Sequence, residues 1–361
     1  MKTSAPAPPP ARIASVGTAL PPHYADQETL IATLRTFWTD HGRQADRMET
    51  LHRNVQVRGR HLALPLEEYA RLDGFAAAND AWIRVGLEVG GAAIEAALAR
   101  AGLVPRDVDA LWVTSVTGVA APSLDARLIN RLGFRNDLKR VPIFGLGCVA
   151  GAAGVARAAD YLAGHPGEVA VLLSVELCTL TLQRGDLSLA NLIASGLFGD
   201  GAAAVVLTGA GRRPPGAGPA VVATRSSFYP GTEEVMGWQV GAGGFRVVLS
   251  AAVPEMVRRF LRRDVDAFLA DQGLDASDIT AWIAHPGGPR VLEAMQEVLA
   301  LPPEALAITW RSLREIGNLS SASVLMVLEE TMRLSAPPAG GYGLMLAMGP
   351  GFCSELVLLR W

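Results

Sequence analysis

The chain has 361 residues, half of them apolar, with Lys+Arg 32 against Asp+Glu 35 and a formal net charge of −3. That length and composition suffice for a sizeable core in one or two domains, and the charge balance argues against nucleic acid as a partner. No run of roughly 18 uninterrupted apolar residues occurs, and the N-terminus is a proline-rich arm without the apolar core of a secretory signal, so the expectation is a cytoplasmic protein with no membrane span.

The elements follow in chain order as short apolar, β-branched runs alternating with helical patterns. The first run is RIASVGTAL (12–20), followed by a helix over 84–101 and a strand in DALWVTSVTG (109–118). Next, VPIFGLGCVAGAAGVARAADYLA (141–163) reads as a strand-like run, a tight turn at Gly145 and Gly147, and a helix stopped by Gly164 and Pro166. EVAVLLSVEL (168–177) and GAAAVVLTG (201–209) complete a first half, and GAGRRPPGAGPA (209–220) is the densest Pro/Gly break in mid-chain. The second half offers strands in 219–228, 280–288, 342–351 and 354–361, with a helix over 251–273 and another after Asn318 and Ser320. Strands this continuously apolar are covered on both faces, which predicts stacked α and β layers. The basic helix side at Arg258, Arg259, Arg262 and Arg263 reads as a solvated face.

Residues 97–113, ALARAGLVPRDVDALWV, align without a gap on 268–284, FLADQGLDASDITAWIA. Each copy reads as a helix end, a glycine stop, a short turn and a buried strand, and two copies predict a duplicated α/β unit whose halves pack together. The expected halves are 1–210 and 219–361.

Three cysteines, Cys148, Cys178 and Cys353, are too few for a disulfide framework, and no metal-ligand spacing is present. Cys148 stands where a helix begins, and the unpaired N–H groups there favour a thiolate nucleophile; a small buried hydrophobe is the alternative. Glycines inside the following helix each cost roughly 1 kcal/mol against alanine and require the close approach of another backbone, its copy in a dimer being one candidate. His23, His41, His52, His61 and His165 sit among prolines, charges or glycines and read as surface or turn positions. His285 differs, because it ends a buried strand beside the open loop PGGP, where α/β folds place their sites. Asn318, just before a helix, adds a side-chain amide. A thiol, an imidazole and an amide are the parts for acyl transfer with oxyanion stabilisation.

Five stretches in this order, GLGCVAGAAG, LFGDGAAAVVL, WIAHPGGP, GNLSSASV and MGPGF, resemble the type III polyketide synthases, the chalcone synthase-like branch of the thiolase superfamily. The resemblance implies the thiolase fold, α/β with a duplicated αβαβα five-layer architecture, the nucleophile in the first half and His and Asn in the second. It implies Cys148 as acyl acceptor, with His285 and Asn318 holding the malonyl-CoA thioester carbonyl and the enolate left by decarboxylation, and His285 keeping Cys148 ionised. Phe198 matches the gatekeeper between coenzyme tunnel and cavity. Gly349 and Pro350, with Gly351, match the loop that shapes the cavity wall, and Thr117, Cys178, Thr181, Leu182 and Ser320 fall at cavity-lining places. Cys178 is read as wall over a second reactive thiol. Arg47, Gly287 and Gly288 are the implied coenzyme A contacts.

The ELCTLT pattern and MGWQVGAGGFRVVLS resemble the bacterial branch that turns medium to long fatty acyl-CoA starters and malonyl-CoA into alkylpyrones or alkylresorcinols. Leu182 argues against a very long tail, and Ala121 departs from the methionine that plant enzymes present across the dimer. Acyl-CoA and malonyl-CoA are the implied substrates, a homodimer the implied assembly, and no separate cofactor is called for. The alternatives are a synthase using only malonyl-CoA to make tetrahydroxynaphthalene and β-ketoacyl carrier-protein synthase III, which has His-Gln-Ala-Asn where this chain has HPGGP.

Overall fold

The computed structural model describes residues 10–38, 42–212 and 218–361. Most of the proline-rich arm, His41 and the centre of the Pro/Gly break lie outside the described residues. Among those described, nine strands form one mixed sheet: β1 (Arg12–Ala19), β2 (Ala110–Thr114), β3 (Lys139–Ile143), β4 (Val169–Leu177), β5 (Asp200–Thr208), β6 (Ala220–Phe228), β7 (Ile279–Ala284), β8 (Tyr342–Gly349) and β9 (Cys353–Arg360). Their order is β7-β8-β9-β6-β1-β5-β4-β2-β3. The two wings of this sheet meet at β1 and β6 through the single register pair Arg12 and Ala220, flanked by bonds from Ile13 N–H to Pro219 O and from Val221 N–H to Ala11 O.

Helices α1 (Gly74–Ala101), α2 (Ala150–Gly164), α3 (Val253–Ala270), α4 (Pro289–Leu299) and α5 (Ser321–Leu334) supply the other layers. Helices α2 and α5 each touch strands of both wings and so lie between them, while α1 covers the outer face of β1, β5 and β4. Helices α3 and α4 pack on each other outside the second wing, over a core that includes Trp282 and Leu346. The result is helix, sheet, helices, sheet, helices. Strands β4 and β5 are buried at every position because both their faces are covered, which is why they read as unbroken apolar runs.

The sequence echo corresponds to a repeated structure. Helix α1 stops at Gly102 (φ 65) and the turn after α3 passes through Gly273 (φ 70), left-handed positions that suit glycine. Each is followed by a one-turn 3-10 helix, Pro105–Asp107 or Ala276–Asp278, whose aspartate accepts from the N–H three residues back: Val104 to Asp107 at 2.9 Å and Asp275 to Asp278 at 2.9 Å. These turns deliver the chain into β2 and β7.

The glycine-rich helix α2 is central, and at Gly151 a Cβ would overlap the carbonyl oxygen of Ser321 at the head of α5. The approaching backbone therefore belongs to the same chain, in place of the copy in a dimer considered above. The strand-like run before Cys148 is β3, starting two residues earlier than read, while elements the sequence did not announce are the hairpin Met236–Gly241 with Gly244–Leu249, and helices Gln27–Phe37 and Gly42–Asn54. Strand β3, KRVPI, carries two charges and a proline, tolerable because it is a sheet edge. His52, expected at the surface, is fully buried, with Nε2 3.0 Å from Ser195 Oγ.

Gly151→Ala is expected to destabilise the protein by about 1–3 kcal/mol, because overlap with a main-chain oxygen cannot be relieved by a side-chain rotation. Gly164→Ala, where a Cβ meets nothing within 4 Å, should stay within about 0.5 kcal/mol. Urea unfolding of both variants beside the wild type checks this, and equal midpoints would contradict it.

Candidate active site

Four chain segments converge at the heads of the two central helices. After β3 the chain turns through a 3-10 step, Gly147–Val149, which places Cys148 immediately ahead of α2. Gly147 has φ 56, and a Cβ on it would lie 2.6 Å from Pro350 Cδ, so glycine is required there twice over. From the second wing, His285 follows β7 directly, its N–H bonded to Leu346 O at 2.9 Å. Asn318 lies between helix Ala307–Ile316 and α5, with Ser320 two residues on. Its main chain bonds to the fourth segment on both sides of Phe198: Asn318 N–H to Leu197 O at 2.9 Å and Gly199 N–H to Asn318 O at 3.0 Å.

Cys148, His285, Asn318 and Ser320 line one cavity of about 420 Å³. The Asn318 amide is oriented by its surroundings: Oδ1 accepts from Ser320 N–H at 2.8 Å, while Nδ2 has only a long 3.4 Å contact with Gly287 O. Its donor end therefore faces the cavity. Cys148 Sγ lies 3.6 Å from Ser320 Oγ, and neither ring nitrogen of His285 has a hydrogen-bond partner among the described residues. Burial pushes the Cys148 thiol up to about 12, a rise opposed by the Ser320 hydroxyl and added to by the charge of Glu176. Burial likewise brings His285 down to about 3. Burial thus favours the neutral form of both groups, the opposite sense to the ion pair that the resemblance implies. An uncharged imidazole beside a thiol is a base ready to take its proton.

The remaining expected residues divide. Arg47, Phe198, Gly287, Gly288 and Pro350 also line the main cavity. Cys178, Thr181 and Leu182 line a separate side pocket of about 50 Å³, walled off by Phe198, Trp238 and Val247, which border both spaces. Thr117 is not on the wall: it is committed to a buried network, donating to Glu176 Oε2 at 3.0 Å and accepting from Trp82 Nε1–H at 3.2 Å. Gly349 also lies behind the wall, where a Cβ would press on Leu146 O and Val149 N of the Cys148 turn, so it shapes the cavity indirectly.

Sequence reasoning missed Trp238, whose hairpin bounds the main cavity and the side pocket. It also missed Arg290 at the cavity mouth and Glu176, a fully buried carboxyl that burial pushes up to about 7 against hydrogen bonds from Ser321, Val116 and Thr117. A tryptophan in the Gly-rich alternation MGWQVG was the one available signal; a glutamate inside the apolar strand VLLSVEL was the other.

The depressed His285 carries a stability consequence. Its folded value lies below its ordinary 6.5, so as pH falls below about 6.5 the unfolded chain takes up a proton that the folded chain refuses, and stability is lost at about 1.4 kcal/mol per pH unit until about pH 3. His285→Gln removes this slope, whereas Glu176 acts in the opposite sense in both proteins. Urea midpoints from pH 6 to pH 4 should therefore move in favour of the variant; a constant difference would mean that His285 is charged in the folded state.

Comparison with known proteins gives a consistent answer over nearly the whole chain. Residues 1–212 match the family model of chalcone and stilbene synthases, N-terminal domain, and residues 220–361 that of the C-terminal domain. The chain is 56% identical over 352 residues, 97% of itself and 93% of the relative, to 1,3,6,8-tetrahydroxynaphthalene synthase of Streptomyces peucetius subsp. caesius. It is 36% identical to a putative chalcone synthase of Bacillus subtilis, over 97% of this chain and 98% of that one. The crystal structure of 1,3,6,8-tetrahydroxynaphthalene synthase from Streptomyces coelicolor A3(2), a bacterial type III polyketide synthase, superposes with a TM-score of 0.91 at 33% identity, covering 97% of this chain and 99% of the other. With its thiolase fold and these matches, the chain belongs to the chalcone and stilbene synthase family and is a type III polyketide synthase.

Proposed function

We propose that this enzyme builds its product from malonyl-CoA alone, as a 1,3,6,8-tetrahydroxynaphthalene synthase, in place of the alkylpyrone or alkylresorcinol synthesis from a fatty acyl-CoA starter suggested by the ELCTLT pattern. The observation that carries this reading is the 56% identity, spanning 97% of the chain, to an enzyme of that name. A second supports it: the side pocket behind Thr181 and Leu182, at about 50 Å³, has room for a few atoms and none for a long alkyl tail.

In the proposed cycle His285 takes the Cys148 proton as the thiolate attacks the malonyl thioester carbonyl, and coenzyme A leaves with a proton. A second malonyl-CoA then places its thioester oxygen between His285 and the Asn318 Nδ2–H donor. Its carbon–carboxylate bond breaks, CO₂ leaves, and the enolate so formed is stabilised by those two donors. The enolate carbon attacks the acyl group on Cys148, a C–C bond forms and the thiolate is released. The ten carbons of the naphthalene skeleton correspond to five two-carbon units, so five malonyl-CoA give one product with loss of five CO₂, five coenzyme A and, at the aldol closure, one water. Only the CoA substrates are consumed, and no resident cofactor takes part. Arg47 and Arg290, both exposed at the mouth, suit the coenzyme phosphates, and the Gly287–Gly288 backbone suits the pantetheine arm. Among the described residues no group of three or more His, Cys, Asp or Glu is placed to hold a metal ion, and no helix is long and apolar enough to cross a membrane.

A homodimer is part of the proposal. Among the described residues strand β3 pairs on one side only, with β2, and Phe144, which follows it directly, is 56% exposed, so an open sheet edge stands beside an exposed aromatic ring. Sedimentation at micromolar concentration should give twice the chain mass, and a monomer would count against it.

Incubation with malonyl-CoA and a ladder of acyl-CoA starters, acetyl to palmitoyl, is expected to give the same product mass in every tube and none with Cys148→Ala. Masses that track the starter would restore the alkylpyrone reading. Phe198→Ala is expected to join the side pocket to the cavity and let starter-dependent products appear.

A further inference from the structure

Ser320 has two features that a mere wall residue does not need. Its backbone lies at φ 47, ψ −125, a region that residues other than glycine rarely adopt and keep only where the surroundings enforce it. The enforcement is visible: Asn318 Oδ1 holds its N–H at 2.8 Å, its carbonyl accepts from Ser323 N–H at 3.2 Å, and the next residue, Ser321, donates its hydroxyl to the buried Glu176. Glycine would take this turn without strain, so the serine side chain is where a return must be sought.

That side chain points at one thing. Ser320 Oγ lies 3.6 Å from Cys148 Sγ, the residue is buried, among the described residues its hydroxyl has no other partner, and besides it only the backbone N–H of Cys148 itself favours the charged sulfur. While the sulfur is a thiol, either group can donate; once it is a thiolate, only Ser320 can. Of the neighbouring ionisable groups, His285 offsets the charge only once it has taken the proton, and the acids around the sulfur work against it. Glu176 on β4 repels it, Cys178 at the end of β4 is itself an acid raised by burial, and His285 is held neutral until it accepts a proton.

We propose that Ser320 is a positioning residue for the nucleophile, its strained turn aiming a hydroxyl that donates to the Cys148 thiolate each time the thiolate forms and each time it leaves the acyl chain. The inference rests on the reading of Cys148 as acyl acceptor and names a side chain that stabilises its charged form.

The test is the pH dependence of Cys148 alkylation by iodoacetamide, followed on the Cys148 peptide by mass spectrometry in the wild type, Ser320→Ala and Ser320→Gly. Alanine keeps the side-chain volume and loses the hydroxyl; glycine also relieves the strained φ, so it remains informative where alanine folds poorly. Both variants are expected to shift the alkylation midpoint upward by about one pH unit, which is about tenfold slower modification at any pH below it. A role in backbone geometry alone would move the alanine and glycine variants apart and is excluded by equal shifts. Unshifted midpoints in both variants overturn the proposal. The parent reading is checked in the same samples: if wild-type protein fully alkylated at Cys148 still converts malonyl-CoA to product, the nucleophile assignment falls and the role of Ser320 with it. If alkylation abolishes product while the variants keep the wild-type midpoint, only the role of Ser320 is lost.

Discussion

Helix α2 can lie against the head of α5 only because position 151 has no Cβ to meet the Ser321 carbonyl oxygen. The two helices come from different wings, and each carries the reactive groups at its own N-terminal end: Cys148 ahead of α2, Asn318 and Ser320 ahead of α5. Their close approach is what turns two repeats of one α/β unit into a site that neither repeat holds alone. His285 joins from the end of β7, so three of the four central groups arrive from the second wing and meet the cysteine of the first.

That meeting place is buried, and burial sets its electrostatics. In a buried setting the neutral form of every group is favoured, so the thiol and the imidazole rest uncharged and Glu176 is held as an acid that loses its proton only near neutrality. In the proposed cycle charge appears on the sulfur, the imidazole and the enolate oxygen, where donors fixed in a buried setting are worth more than in water. The Asn318 amide illustrates the preparation: Ser320 N–H ties up its oxygen, which leaves the Nδ2–H end for an oxygen of the substrate.

The cavity wall is built by the same economy of ties. Phe198 does not stand free as a gate; its neighbours on either side are bonded to the Asn318 main chain, so the ring that divides the main cavity from the side pocket is indexed to a residue of the reaction centre. Trp238, on a hairpin that the strand and helix periodicities did not announce, closes the same partition from the opposite side, 6.3 Å away between ring centroids.

The sequence by itself determined the layers and the duplication, and it marked as candidates three groups that the fold brings to one cavity. Unbroken apolar runs can only be doubly covered strands, the 97–113 and 268–284 echo keeps its glycine stop and aspartate turn in both copies, and Cys148, His285 and Asn318 each stand at a helix head or strand end that local pattern marks. What those patterns cannot carry is the company a side chain keeps. Thr117 reads as cavity wall and is instead spent on Glu176, His52 reads as surface and is fully buried, Thr181 and Leu182 face a different space from Cys148, and the thiolate expected of a helix head is opposed by desolvation. Only the tertiary structure decided these, because burial, pocket boundaries and the charge state of a buried group depend on which distant segments close over it, and no local spacing encodes that.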